Sequence, residues 1–381
     1  MKSIDNKLSL YIHIPFCMQK CFYCDFLSAP SSGEVRERYV KRLLQEIKEE
    51  SGRYKKYKIT TVFFGGGTPS ILEPGQILRI MRGIRDWFEL EDDCEISIEV
   101  NPGSASVEKI KAWREAGFNR VSIGFQSLED GELRALGRIH NRRECFQTYE
   151  SLVKTGFNNI NIDLMTAIPG QTMESCLRTL KTVTALAPAH ISVYSLILEE
   201  GTPFFQNPPV LPDEDTEREM YKMTNDVLSA AGYERYEISN YAKDGYACRH
   251  NQVYWQRGNY AGFGTGAASL IENVRFHNGS DLDTYLLKGP QKEDVCQLSL
   301  QEQMEEFMFL GLRMQKGVSE EEFRAAFDKS VDQVYPGIVT KYVENGLLRR
   351  VSASAGQGGK IALTERGIDV SNVVMADFLL T

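Results

Sequence analysis

Three cysteines fall within eight residues, as Cys17-x3-Cys21-x2-Cys24 inside YIHIPFCMQKCFYCDF. Thiolates are soft ligands, and three on one short segment suit an iron–sulfur cluster; a four-iron cube held by only three protein thiolates leaves one iron open for another ligand. Zinc is the chemical rival. A structural zinc site takes four ligands, so His13 or Asp25 would have to supply the last. The remaining cysteines, Cys94, Cys145, Cys176, Cys248 and Cys296, stand singly and read as small buried hydrophobes. Eight cysteines in 381 residues are too few for a secreted disulfide framework. Thiol or metal chemistry in a reducing compartment fits better.

Other residues could do chemistry beside them. The run Gly65-Gly66-Gly67-Thr68-Pro69 would let main-chain amides approach a polar ligand where a side chain would collide, although a tight turn would look the same. Glu99 and Asp163 end or nearly end β-rich runs, where a carboxylate can accept from an amine or ribose hydroxyls. In His250-Asn251-Gln252-Val253-Tyr254-Trp255, imidazole is a common axial ligand for heme iron, and the aromatics offer flat apolar surface. A histidine hydrogen-bonded in an aromatic core gives the same pattern. His13, His140, His190 and His277 have no comparable context.

The elements that must position these groups alternate. β-Rich runs at 10–14 (LYIHI), 60–64 (TTVFF), 95–100 (EISIEV), 120–125 (RVSIGF), 159–164 (NINIDL) and 190–196 (HISVYSL) are separated by helical spacing at 34–50, 74–88, 107–116, 143–155 and 173–187. Strands joined through helices pair in parallel by right-handed crossovers, which predicts a partial six-unit α/β barrel, open on one side, within residues 1–212. The cysteine cluster, GGGTP, Asn101-Pro102, Gln126-Ser127 and Pro169-Gly170-Gln171 each follow a predicted strand. In parallel α/β architectures ligand sites gather at that end.

Residues 213–297 read as an extension, helical to 231 and then aromatic and glycine-rich to 267, with no further clear βα unit. Residues 298–381 read as an α-rich, winged-helix-like domain: helices at 298–314, 319–327 and 331–345, then a hairpin of 347–351 with 360–363 around SASAGQGG. Composition is globular, with 42% hydrophobic and 25% charged residues. The net charge of −8, from 44 Lys and Arg against 52 Asp and Glu, argues against a nucleic-acid or anionic-membrane binder. The one base in the prospective recognition helix, Lys341, is too little to neutralise phosphates. No apolar run approaches the roughly 18 residues of a membrane span, and the opening MKSIDNKLSLYIHIPFC lacks a signal-peptide core, so the cytoplasm is expected.

CxxxCxxC is also the signature of the radical S-adenosylmethionine (SAM) superfamily. The ordered series YIHIPFCMQKCFYCDF, FFGGGTPS, SIEVNPG, VSIGFQS, LGRIHN, NIDLMTAIPGQT, YSLILEEGTPF and RHNQVYW resembles the oxygen-independent coproporphyrinogen III oxidase group and, within it, the heme-chaperone branch. The resemblance spans nearly the whole chain. It implies a partial (β/α)6 TIM-type radical SAM barrel in which Cys17, Cys21 and Cys24 ligate a 4Fe–4S cluster and the open iron chelates the amino and carboxylate groups of SAM. It further implies that Tyr11, Gly66, Gly67, Thr68, Glu99, Gln126, Arg138 and Asp163 contact SAM, with Tyr23 beside them. A low-potential donor such as flavodoxin or ferredoxin would supply the electron that breaks the sulfonium carbon–sulfur bond. The HNxxYW motif is associated with heme, making His250 the leading iron ligand and Cys248 a lesser one. No side chain is assigned a catalytic role.

Two departures separate the chain from the oxidases. Their pattern is CxxxCxxCxC, whereas Phe26 stands here in the last position, and only 16 residues precede Cys17. Both favour an open site suited to handing over an intact macrocycle. The expected function is heme binding and transfer to acceptor hemoproteins, with cluster and SAM sites as a switch for homodimerisation or release. Oxidative decarboxylation of porphyrinogen propionates is the alternative.

Overall fold

The computed structural model describes residues 6–351 and 359–380. Residues 1–5 of the opening segment and 352–358 of the expected hairpin turn lie outside the described residues.

Six strands run parallel in chain order: β1 (Lys7–Ile14), β2 (Lys58–Gly66), β3 (Glu89–Val100), β4 (Arg120–Gln126), β5 (Asn159–Thr166) and β6 (His190–Ser195). Each is followed by the helix or loop that the alternation predicts. Within a strand, side chains alternate between two faces. Leu8, Leu10, Ile12 and Ile14 of β1 join Val40, Leu43 and Ile47 of the Gly33–Ser51 helix in the main core. Ile96, Ile98, Val121, Ile123, Ile160, Ile162 and Ile191 continue that layer. The other face carries Tyr11, His13, Glu95, Ser97, Glu99, Arg120, Ser122, Asn161 and Asp163. Parallel sheets are usually apolar on both faces, so a polar inner face marks a lumen built to hold something.

The extension departs from expectation. It contributes six short strands, two at one edge and four at the other. β7 (Glu234–Arg235) and β8 (Asn240–Ala242) pair antiparallel beyond β6. β9 (Tyr260–Phe263) lies parallel to β1, followed outward by antiparallel β10 (Ala268–Ile271), β11 (Val274–Asn278) and β12 (Lys292–Gln297). The sheet therefore has twelve strands. Runs of two to six residues are too short for a period-two signal to emerge from sequence. Cys296 is a second correction: it lies exposed on edge strand β12, whereas the other four single cysteines are buried.

The last region has its own core, including Met308, Leu312, Phe323, Tyr335, Val339 and Phe378. The expected helix at 331–345 is two, Val331–Val334 and Ile338–Glu344. Pro336 disfavours the helical conformation at Tyr335, and Gly337 adopts φ +78. β14 (Leu348–Val351) and β15 (Lys360–Leu363) form the expected hairpin pair, and β13 (Val318–Ser319) adds a third strand.

Candidate functional site

The cysteine loop leaves β1 and is pinned by main-chain bonds. Cys17 N–H donates to Ala29 O (3.1 Å), Phe22 N–H to Leu136 O (3.1 Å), Gly67 N–H to Ile14 O (2.9 Å) and Thr68 N–H to Phe16 O (2.8 Å). The last two redefine the glycine run, because amides expected to meet a ligand hold the cysteine loop instead. A Cβ on Gly67 would sit 2.7 Å from Phe16 O, and one on Gly66, at φ +106, would sit 2.4 Å from the His13 ring. Close approach of two backbones excludes a side chain at Gly67, and the His13 ring together with the positive φ does so at Gly66.

Cys17, Cys21 and Cys24 line one cavity of about 140 Å³ together with Tyr23, Gly66, Gly67, Thr68, Glu99, Gln126, Arg138 and Asp163. Tyr11 is not on this wall. It lines an adjoining chamber of about 400 Å³, which shares Tyr23, Glu99, Gln126 and Asp163 and also includes His250. Gln126 turns out of β4 at φ +65, a conformation uncommon for a side chain of its size and found where structure enforces it.

Arg138 donates to Cys21 Sγ (3.6 Å), Asn101 Oδ1 (2.7 Å) and Gly124 O (2.9 Å). The Asn101 amide donates to Thr68 Oγ1 (2.8 Å), whose hydroxyl lies 3.2 Å from Cys17 Sγ. Two cysteines are thus connected through Thr68, Asn101 and Arg138. Burial pushes the Cys24 thiol up to about 11, a proton that a bound metal displaces. Sequence reasoning marked Asn101-Pro102 as unusual but did not place Asn101 in the site.

His13 is not open as a fourth zinc ligand: its Nε2 lies 2.9 Å from Leu27 O and its Nδ1 3.2 Å from Tyr11 Oη. Among the described residues no three His, Cys, Asp or Glu side chains gather as a single-ion site. The cysteines instead surround a cavity, which fits a larger soft-ligated body.

Burial and the neighbouring Asp163 carboxylate push Glu99 up to about 8, against the Gly66 amide and Arg120. Burial also raises Asp163, although the Ser122 hydroxyl (3.0 Å) and the Asn161 amide (2.7 Å) donate to it. Two such carboxylates on one wall are a receptor for positive charge.

His250 is 1% exposed. Its Nδ1 lies 2.6 Å from Thr61 Oγ1, its Nε2 2.8 Å from Tyr254 Oη, and its ring stacks on Phe63 at 4.9 Å between centroids. Burial pulls its pKa down to about 3, so the ring is neutral. Both nitrogens are engaged, and iron coordination requires one of these bonds to open. Cys248 is fully buried and pushed up to about 12 by that burial, with its thiol 3.7 Å from Glu95 Oε1. By contrast Phe26, which lines both cavities, is strongly exposed (63%), as are Met18 (63%) and Ile139 (55%) in a neighbouring pocket that shares Cys21, Thr68 and Arg138 with the first.

Parallel strands with a three-cysteine loop and two carboxylates at their carboxyl ends define the radical SAM class of α/β barrel. The radical SAM superfamily profile matches residues 11–183, and that of the HemN C-terminal domain matches 298–370. The chain is 35% identical to heme chaperone HemW of Lactococcus lactis, covering 98% of this chain and 97% of that protein. It is 37% identical to heme chaperone HemW of Bacillus subtilis, covering 97% and 99%. The chain belongs to the HemW family. Among solved structures, coproporphyrinogen III oxidase HemN from Escherichia coli, a radical SAM enzyme, matches with a TM-score of 0.85 at 23% identity over 98% of this chain and 90% of that one, a likeness of fold.

Proposed function

We propose that the protein binds heme and transfers it to acceptor hemoproteins, and that its cysteine cavity holds a 4Fe–4S cluster and SAM. The observation that carries this is the gathering of Cys17, Cys21 and Cys24 on one cavity with Thr68, Glu99, Gln126, Arg138 and Asp163, in a chain of the HemW family. The three cysteines would hold the cluster, with Arg138, beside Cys21 on the same cavity, both offsetting thiolate charge and contacting SAM. Glu99 and Asp163 would accept from the amine or ribose of SAM, beside Gly66, Gly67, Gln126, Tyr23 and, from the adjoining chamber, Tyr11. When bound, cluster and SAM supply reductive opening of the sulfonium carbon–sulfur bond, which calls for a low-potential donor of the flavodoxin or ferredoxin kind.

Heme finds apolar contact in exposed Phe26 and a neutral imidazole in His250, which line the same chamber. Since Tyr254 occupies Nε2, Tyr254→Phe is expected to tighten heme binding by about tenfold, the value of roughly one freed hydrogen bond. His250→Ala is expected to weaken it. Heme titration followed by absorption checks both, and identical spectra and affinities in all three proteins would remove His250 as the ligand. Among the described residues no helix is long and apolar enough to cross a membrane. The proposal places the protein in the cytoplasm, with sizing of cluster-loaded and cluster-free protein testing for a homodimer.

The deciding experiment is anaerobic incubation of cluster-loaded protein in two arms. Loaded with heme and mixed with an apo-hemoprotein, it should transfer heme. Given coproporphyrinogen III, SAM and a reductant, it should form no protoporphyrinogen, and catalytic formation would overturn the reading in favour of an oxidase.

A further inference from the structure

The inner chamber contains a guanidinium with a donor that the protein leaves unpaired. Arg120, the first residue of β4, is 2% exposed and lines this space. Its Nε is buried without a hydrogen-bond partner, and so is Oγ of Ser97, its register neighbour on β3. The fields of the Glu95 and Asp163 carboxylates favour the Arg120 charge, but neither carboxylate reaches Nε. A guanidinium presents five donors and keeps its charge in a protein interior. The carboxylates whose field reaches it are committed elsewhere. Glu95 accepts from the backbone N–H of His250 (3.0 Å) and Arg249 (3.1 Å), and Asp163 from Ser122 and Asn161. Glu99 and Asp163 line the same chamber, but burial raises both, Glu99 to about 8, so the unpaired guanidinium donor is open to an acceptor brought in from outside.

The walls narrow the kind of anion. Phe63 stacks on His250 at 4.9 Å and on Tyr11 at 6.3 Å, so one side of the chamber is aromatic. A volume of about 400 Å³ suits an organic molecule rather than a bare inorganic ion. Guanidinium matches the planar fork of a carboxylate. We infer that Arg120 anchors the carboxylate of an aromatic or similarly flat organic acid inside the barrel, beside the cavity of the cysteine loop. The inference deepens the proposed function, because a heme propionate and a separate small acid share this chemistry.

The test uses the full-length chain, cluster-loaded and free of SAM, titrated with phenylpropionate and with its neutral amide by ligand-observed NMR. The acid is expected to bind at least about tenfold more tightly than the amide. Arg120→Gln should erase that preference, and Arg120→Lys should keep part of it. Equal binding of acid and amide, or a preference that survives Arg120→Gln, overturns the inference. Should Arg120→Gln not fold by circular dichroism, the acid–amide comparison on the wild type and Arg120→Lys decides. Displacement of phenylpropionate by heme assigns the carboxylate to a propionate, and failure to displace assigns it to a distinct acid; each keeps Arg120 as the anchor. Repeating the titration on Cys17→Ala protein separates this site from the cluster, since acid binding retained there stands even where the cluster assignment fails.

Discussion

Gly124 does no chemistry, yet its missing side chain shapes the site. A Cβ there would lie 2.9 Å from Gln126 Nε2 and 3.2 Å from Arg138 Nη2. Gly124→Ala should therefore displace both groups while leaving the strand intact. The expected outcome is SAM affinity reduced about tenfold, ~1.4 kcal/mol, with cluster content and thermal midpoint near wild type. Unchanged affinity would remove Gln126 and Arg138 from the SAM contact. Glu99 makes a second prediction. Because its carboxyl titrates at about 8, the free cavity is largely protonated below that pH, and a cationic ligand group must displace the proton. SAM affinity should rise with pH up to about 8 and then level off, and Glu99→Gln should flatten the profile. A flat wild-type profile would contradict the role given to Glu99. At this scale the sequence was readable where residue type announces chemistry, as with the cysteines, the glycine run and the carboxylates. It was not readable at Arg120 and Asn101. An arginine opening a strand looks like a solvated end, and only the folded sheet shows that it lines the inner chamber.

Elements were legible in proportion to their length. The six parallel strands and their helices carry long periodic patterns, and most bounds lie within two residues of expectation; β1 begins three residues early and β3 six, the latter at an acidic stretch that resembles a loop. The split of 331–345 was missed because helical spacing persists across Tyr335-Pro336-Gly337, and its signal, a proline followed by glycine, lay in plain view. Gly337 holds φ +78 with open space around its Cα, so substitution meets no clash. Gly337→Ala should accordingly cost only the left-handed backbone, about 1 kcal/mol, seen as a lower urea midpoint with an unchanged slope. A larger loss would mean that the turn is packed more tightly than the structure shows.

Across the whole molecule, the extension closes both flanks of the parallel sheet and connects to the carboxyl-terminal region. Glu306 of the Leu300–Leu312 helix accepts from Arg257 (2.9 Å) and Arg275 (2.6 Å), and Arg257 and Glu306 are both nearly buried there. Sequence could not foretell these long-range pairings, because nothing local in Arg257 or Arg275 names a partner some thirty to fifty residues away. What this assembly encloses is the cavity of Cys17, Cys21 and Cys24, and the account depends on what those thiols bind. The most direct measurement is anaerobic reconstitution with iron and sulfide, followed by metal analysis and electron paramagnetic resonance of the reduced protein with and without SAM. The account predicts about four iron and four sulfide per chain, a reduced-cluster signal that changes when SAM is added, and loss of both in Cys17→Ala, Cys21→Ala and Cys24→Ala. Protein that stays colourless, holds tetrahedral zinc instead, or gives a signal indifferent to SAM would contradict it.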